Sequence, residues 1–120
     1  MNLNELSKNI YEGNKARGFW EKERNLGEML MLVVTELSEA LEAHRSGKKC
    51  GHGDKVAYFE SDDMLQAFKQ NIKDTFEDEI ADAVIRLLDM CGGLDIDIDF
   101  HVRTKLMYNA SRPYKHGKNY

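Results

Sequence analysis

A chain of 120 residues has the length of one domain with room for a modest apolar core, so a single domain over residues 1–120 is expected. Its 42% hydrophobic and 32% charged residues exclude a disordered chain, and no apolar run approaches the roughly 18 residues that span a bilayer. A net charge of −4 disfavours non-specific binding to nucleic acid, so neither a stable nucleic-acid partner nor a membrane is expected.

The first ten residues, MNLNELSKNI, carry no basic flank leading into an apolar stretch and do not read as a signal peptide. A cytoplasmic protein is expected, in which the two cysteines stay reduced. Cys91 falls in an apolar helical pattern and reads as a core residue. Cys50 and His52, in GKKCGHGD, supply two zinc-type ligands without the second pair of a zinc site. Acid dominates from Glu77 to Asp99 and base from Arg103 to Lys118. That asymmetry suits a ligand held through a cation at one end and by basic side chains at the other.

Four helical stretches follow in chain order. The first covers about Asn4 to Gly13, with Leu3, Leu6 and Ile10 on one face. The second covers Leu26 to Ser46, with Asn25 as N-cap, Glu28 three residues on, and Gly47 ending it. The third starts near residues 61–63 and continues to Cys91 through Phe68, Ile72, Phe76, Ile80, Ala83 and Leu87, with Gly92 and Gly93 stopping it. The fourth covers Asp97 to Ser111, where Ile98, Val102 and Leu106 are spaced by four and Pro113 forbids continuation. Residues 94–100, LDIDIDF, alternate apolar and acidic side chains but have no partner strand, and read as a loop and helix entry. Residues 44–59 are glycine-rich and basic and read as a loop. The expected fold is all-α, a small helical bundle of about four to five helices. Two long helices carry more apolar face than one copy covers, which predicts a homo-oligomer, a dimer or a tetramer.

Some carboxylates fall on faces where they do not belong. At about 100° per residue, Glu36 lies about 20° from both Met29 and Ala43, inside the apolar stripe of the second helix. Glu39 sits about 60° round, at the stripe's edge, and Glu42 turns toward solvent. Burying a carboxylate costs several kcal/mol unless a base or a divalent cation compensates it. On the third helix Glu79 flanks the apolar stripe, and Asp82 falls in an acidic arc between two apolar groups. Two helices thus each carry acids at i and i+3, and side by side they would crowd four carboxylates into one volume. A hard cation relieves that repulsion, and an all-oxygen donor set favours Mg²⁺, or Mn²⁺, over zinc. A di-iron site would want Glu-x-x-His, and no Glu here has a His three residues later.

The pairs Glu36-x-x-Glu39 and Glu79-x-x-Asp82 resemble the Glu-x-x-Glu and Glu-x-x-Asp signature of the all-α nucleoside triphosphate pyrophosphohydrolases. That superfamily includes MazG-like proteins, dimeric dUTPases and phosphoribosyl-ATP pyrophosphohydrolases. ELSEALEAHR and TFEDEIADAVIRLLD are similar to MazG-like sequence around those pairs, and KLMYNASRPYKHGK is similar to the close of many small MazG-like proteins. The resemblance covers about residues 20–118. It implies that Glu36, Glu39, Glu79 and Asp82 bind magnesium, that the substrate is a nucleoside triphosphate, and that the products are a monophosphate and pyrophosphate. Glu39 is the first choice for the carboxylate that accepts the proton of an attacking water. The interval between the two pairs is longer than the family's usual spacing, and the added segment is expected to act as a lid or to set substrate preference.

Lys105, Asn109 and Arg112 recur at i, i+4 and i+7, opposite Ile98, Val102 and Leu106. Beside a metal site the lysine and arginine would hold phosphate oxygens and Asn109 phosphate or sugar. Lys115 and Lys118 lie on a tail expected to fold over the ligand, and Lys73 is a further phosphate candidate. Phe19 and Trp20 at a helix entry serve the core more often than they stack on a base; of the two, Trp20 is the candidate for a nucleobase. The rival reading is a non-catalytic helical module that binds nucleotide or protein through an acidic groove.

Overall fold

The structure is a computed structural model that describes residues 2–119. The described residues form six α-helices: α1 (Leu3–Ala16), α2 (Leu26–Arg45), α3 (His52–Glu60), α4 (Met64–Asn71), α5 (Phe76–Gly93) and α6 (Ile98–Ser111). A single 3-10 turn covers Tyr114–Gly117, and no strand is present among them. The all-α expectation holds, with one helix more than its upper end. No helix among the described residues is long and apolar enough to cross a membrane. The chain divides into two compact units, Lys22–Leu87, and Met1–Glu21 with Leu88–Tyr120.

In the Lys22–Leu87 unit, α2 begins as its sequence dictates: the Asn25 side chain accepts the Glu28 N–H over 3.0 Å and so satisfies one orphan donor of the first turn. Its far end closes on Gly47, whose φ of +72° is costly for any residue with a Cβ. The Gly47 N–H donates to the His44 carbonyl and the Lys48 N–H to the Ala43 carbonyl. This pair of bonds is the Schellman arrangement. Met29, Val33, Ala40 and Ala43 recur at helical spacing along the buried face of α2, with Glu36 among them.

Two expectations for this unit fail. The segment read as a loop contains α3, whose first turn is fixed when Gly51 N–H donates to the Asp54 carboxylate over 2.8 Å. The long third helix is two helices. The break comes at Asp74, in the left-handed region with φ 65°, followed by Thr75, whose hydroxyl accepts the Asp78 N–H. Asp78 in turn accepts the Asp74 N–H over 3.0 Å. The apolar spacing runs across this joint without a phase error, so periodicity alone does not reveal it.

In the second unit, α1 and the start of α6 cap one another. The Asp99 carboxylate accepts the N–H groups of Leu3 and Asn4, both at 3.1 Å, while the Asn4 side chain accepts the Asp99 N–H and donates to Asp97. Residues 94–97 are the expected helix entry, ending on Asp97 as N-cap of α6. The helix ends at the Gly92–Gly93 pair, as expected, with both glycines in the last turn of α5. Glycine is required there for close approach. A Cβ on Gly92 would meet the Ser7 carbonyl at 2.7 Å, and one on Gly93 would meet the Trp20 ring. Cys91 is free and buried, as expected, and burial pushes its thiol pKa up.

Candidate metal centre

The carboxylates singled out by their misplacement on helix faces belong to the Lys22–Leu87 unit. Glu36 and Glu39 come from α2, and Glu79 and Asp82 from the first half of α5. Carboxylate oxygens of Glu36, Glu39 and Glu79 lie within 4.8 Å of one another. Two of these side chains are largely removed from water, Glu36 at 9% exposure and Glu79 at 6%, while Glu39 is open to solvent.

Asp82 stands outside this cluster but within its field. It is half-buried, and burial raises its pKa, with the charges of Asp78 and Glu36 adding to the shift and Arg86 opposing it. Three of the four expected carboxylates are thus brought to one point, and the fourth feels them.

The environment of Glu79 shows what the cluster lacks. Burial first, and then the Glu39 carboxylate beside it, push its pKa up to about 7. Its Oε2 is enclosed and finds no hydrogen-bond donor among the described residues. An enclosed, unpaired carboxylate oxygen is a costly feature that needs a proton or a cation. The donor set offers oxygen only, which fits a hard divalent ion such as Mg²⁺ or Mn²⁺.

Glu36 has a protein partner that the sequence reading missed. Arg86, one turn beyond Asp82 on α5, donates from Nε to Glu36 Oε1 over 2.8 Å. Its spacing from Glu79 and Asp82, seven and four residues, would have placed it on their face. Arg86 offsets one of the clustered charges and ties α2 to α5; among the described residues it bonds Glu36 and neither Glu39 nor Glu79.

A groove of about 220 Å³ opens on the cluster, lined by Glu39, Glu42, Ala43, Ser46, Lys48, Asp74 and Glu79. The end of α2 and the segment after it are tied to the start of α5. The Phe76 N–H donates to the Lys48 carbonyl over 2.8 Å, the Cys50 N–H donates to Glu77 over 2.8 Å, and the His44 and Phe76 rings meet edge to face. Lys73, expected as a phosphate ligand, is bonded to Asp74 at 3.0 Å.

The remaining candidates lie in the other unit. Lys105 and Arg112 flank the Tyr108 ring, at 5.3 and 5.6 Å from its centroid. Asn109 is half-buried, and its carbonyl accepts the Arg112 N–H. Lys115 lies on the 3-10 turn with its ammonium near the Tyr114 ring, and Lys118 follows directly as that turn's C-cap. Trp20 is used in packing: its indole N–H donates to Asp89 over 3.0 Å, its ring meets Tyr11 edge to face, and Gly93 seats against it. Comparison with known proteins returns no match: no family model, no curated protein and no solved structure matches this chain.

Proposed function

We propose that this chain is a divalent-metal-dependent pyrophosphohydrolase that cleaves nucleoside triphosphates to monophosphate and pyrophosphate, in the manner of the MazG-like proteins its two acidic pairs resemble. One observation carries the reading: Glu79 Oε2 is enclosed and unpaired against two further carboxylates from a facing helix. Glu36, Glu39 and Glu79 would hold the cation, with Asp82 at its margin. Magnesium, when held there, supplies positive charge that offsets the charge on transferring phosphate oxygens. Glu39, the exposed member, would take the proton of an attacking water. Arg86 holds Glu36 in position from the side. Lys105, Asn109, Arg112 and Lys115 remain the proposed contacts to substrate from the C-terminal part of the chain.

A homo-oligomer is part of the same reading. Leu26, Leu30, Val34, Leu37 and Leu41 are each about half exposed. They fall within about 80° of one another around α2, on the opposite flank of its buried face from Glu39. Covering that stripe with a second copy would leave the groove open.

The rival reading, a non-catalytic acidic groove, draws support from the Glu36–Arg86 bond, by which the protein meets part of the charge itself. Incubation of the purified chain with a panel of nucleoside triphosphates and Mg²⁺, followed by pyrophosphate detection, separates the two. The proposed enzyme releases pyrophosphate from at least one of them, and Glu39→Gln and Glu79→Gln each abolish release while far-UV circular dichroism is kept. Absence of turnover across the panel favours the groove.

A further inference from the structure

We propose that Lys48, which lines the groove, binds the phosphate oxygens of the substrate and supplies the cationic contact that the carboxylates cannot. This rests on the pyrophosphohydrolase reading of the same site. The groove is otherwise acidic, with Glu39, Glu42, Asp74 and Glu79 on its walls. A polyphosphate entering it meets repulsion from every charged side chain except one. A divalent ion held by Glu36, Glu39 and Glu79 would offset part of the phosphate charge, and the remainder would need a second cation.

Lys48 is suited to this in three ways. Its backbone is held at both ends, the N–H by the Ala43 carbonyl at the close of α2 and the carbonyl by the Phe76 N–H at the opening of α5. Those two helices carry the clustered acids, so the lysine and the acids share one frame. Among the described residues its ammonium takes part in no hydrogen bond or ion pair, whereas that of Lys73 is taken by Asp74. Finally, the enclosed and unpaired Glu79 Oε2 marks the same groove as a place built for a ligand. The next lysine, Lys49, adds its charge to the field that lowers the Glu77 pKa, after the Cys50 and own-backbone hydrogen bonds, and does not line the groove.

The test is calorimetric binding of inorganic tripolyphosphate to the full chain in the presence of Mn²⁺, with Mn²⁺ binding measured separately. Lys48→Gln is expected to weaken tripolyphosphate binding about 10- to 100-fold, the loss of one charge-assisted contact. Lys48→Arg keeps most of the affinity, Lys49→Gln keeps all of it, and Mn²⁺ alone binds Lys48→Gln as it binds the parent chain. In turnover, Lys48→Gln raises KM more than it lowers kcat. If Lys48→Gln binds tripolyphosphate like the parent, or if Lys49→Gln loses as much, the role of Lys48 is overturned while the metal site stands. If the parent chain binds Mn²⁺ but no tripolyphosphate, the Lys48 contact is overturned; if it binds neither, the metal reading falls with it.

Discussion

Arg86 Nε sits 2.8 Å from Glu36 Oε1 and is the only basic group bonded to the carboxylate cluster in the described residues. The Glu36 side chain is 11% exposed and that of Arg86 39%. The pair therefore bridges from an enclosed acid to a half-wet base, and the acid depends on the base more than the reverse. Arg86→Met should lower stability by about 1–3 kcal/mol, the cost of leaving a buried carboxylate without its donor, discounted for the exposed guanidinium. Urea unfolding at constant m-value measures it, and Mn²⁺ should recover part of the loss by binding the folded state. An unchanged midpoint would show that Glu36 is satisfied by other means.

Glu79 gives the stability a pH dependence of definite sign. Its pKa is raised from 4.5 to about 7 by folding, first through burial. Between those values the folded chain binds more protons than the unfolded one, so this group's contribution is fully present below about 4.5 and is lost as pH rises through about 7. Glu79→Gln mimics the protonated side chain. It should melt at a higher temperature than the parent at pH 8 and close to it at pH 5, by differential scanning calorimetry without metal. A parent chain that loses to the variant equally at both pH values would place the Glu79 pKa elsewhere.

The glycines at the end of α5 permit a helix to lie against Ser7, Tyr11 and Trp20. Gly92→Ala should destabilise by about 1–3 kcal/mol or more, because the new methyl meets the Ser7 backbone carbonyl, which cannot rotate away. Thermal denaturation of Gly92→Ala beside Gly53→Ala, whose Cβ would meet open space, isolates the packing effect from the change in helix propensity.

Association of copies through α2 makes a prediction independent of catalysis. Val34→Lys with Leu37→Lys places two charges in the centre of the exposed stripe and should reduce the sedimenting species to a monomer. The groove residues are untouched, so Mn²⁺ binding should persist. A parent chain that already sediments as a monomer would remove the stripe from the account.

Much of this was legible in the residues. Glu36 sits between Met29, Ala40 and Ala43 by simple helical arithmetic, and the structure buries it there. Asn25 and Gly47 bound α2 because capping is local chemistry, readable from a few adjacent residues. The break between α4 and α5 was signalled by Thr75 and Asp78, a cap three residues apart, but the apolar spacing across it stayed in phase and concealed it. Gly92 and Gly93 read as a stop, and α5 ends there; that they also admit Ser7 and Trp20, more than seventy residues away in the chain, is decided by tertiary packing. Arg86 was missed for a related reason. A base acquires meaning from the acids it meets, and those meetings are made by tertiary structure.

The most direct test of the central claim is a Mn²⁺ titration followed by electron paramagnetic resonance, on the parent chain and on Glu79→Gln. The account predicts saturable Mn²⁺ binding by the parent that competes with Mg²⁺ and weakens by about tenfold or more in the variant. A parent chain that leaves Mn²⁺ free in solution, or a variant that binds it equally well, would contradict the claim that Glu36, Glu39 and Glu79 form a cation site.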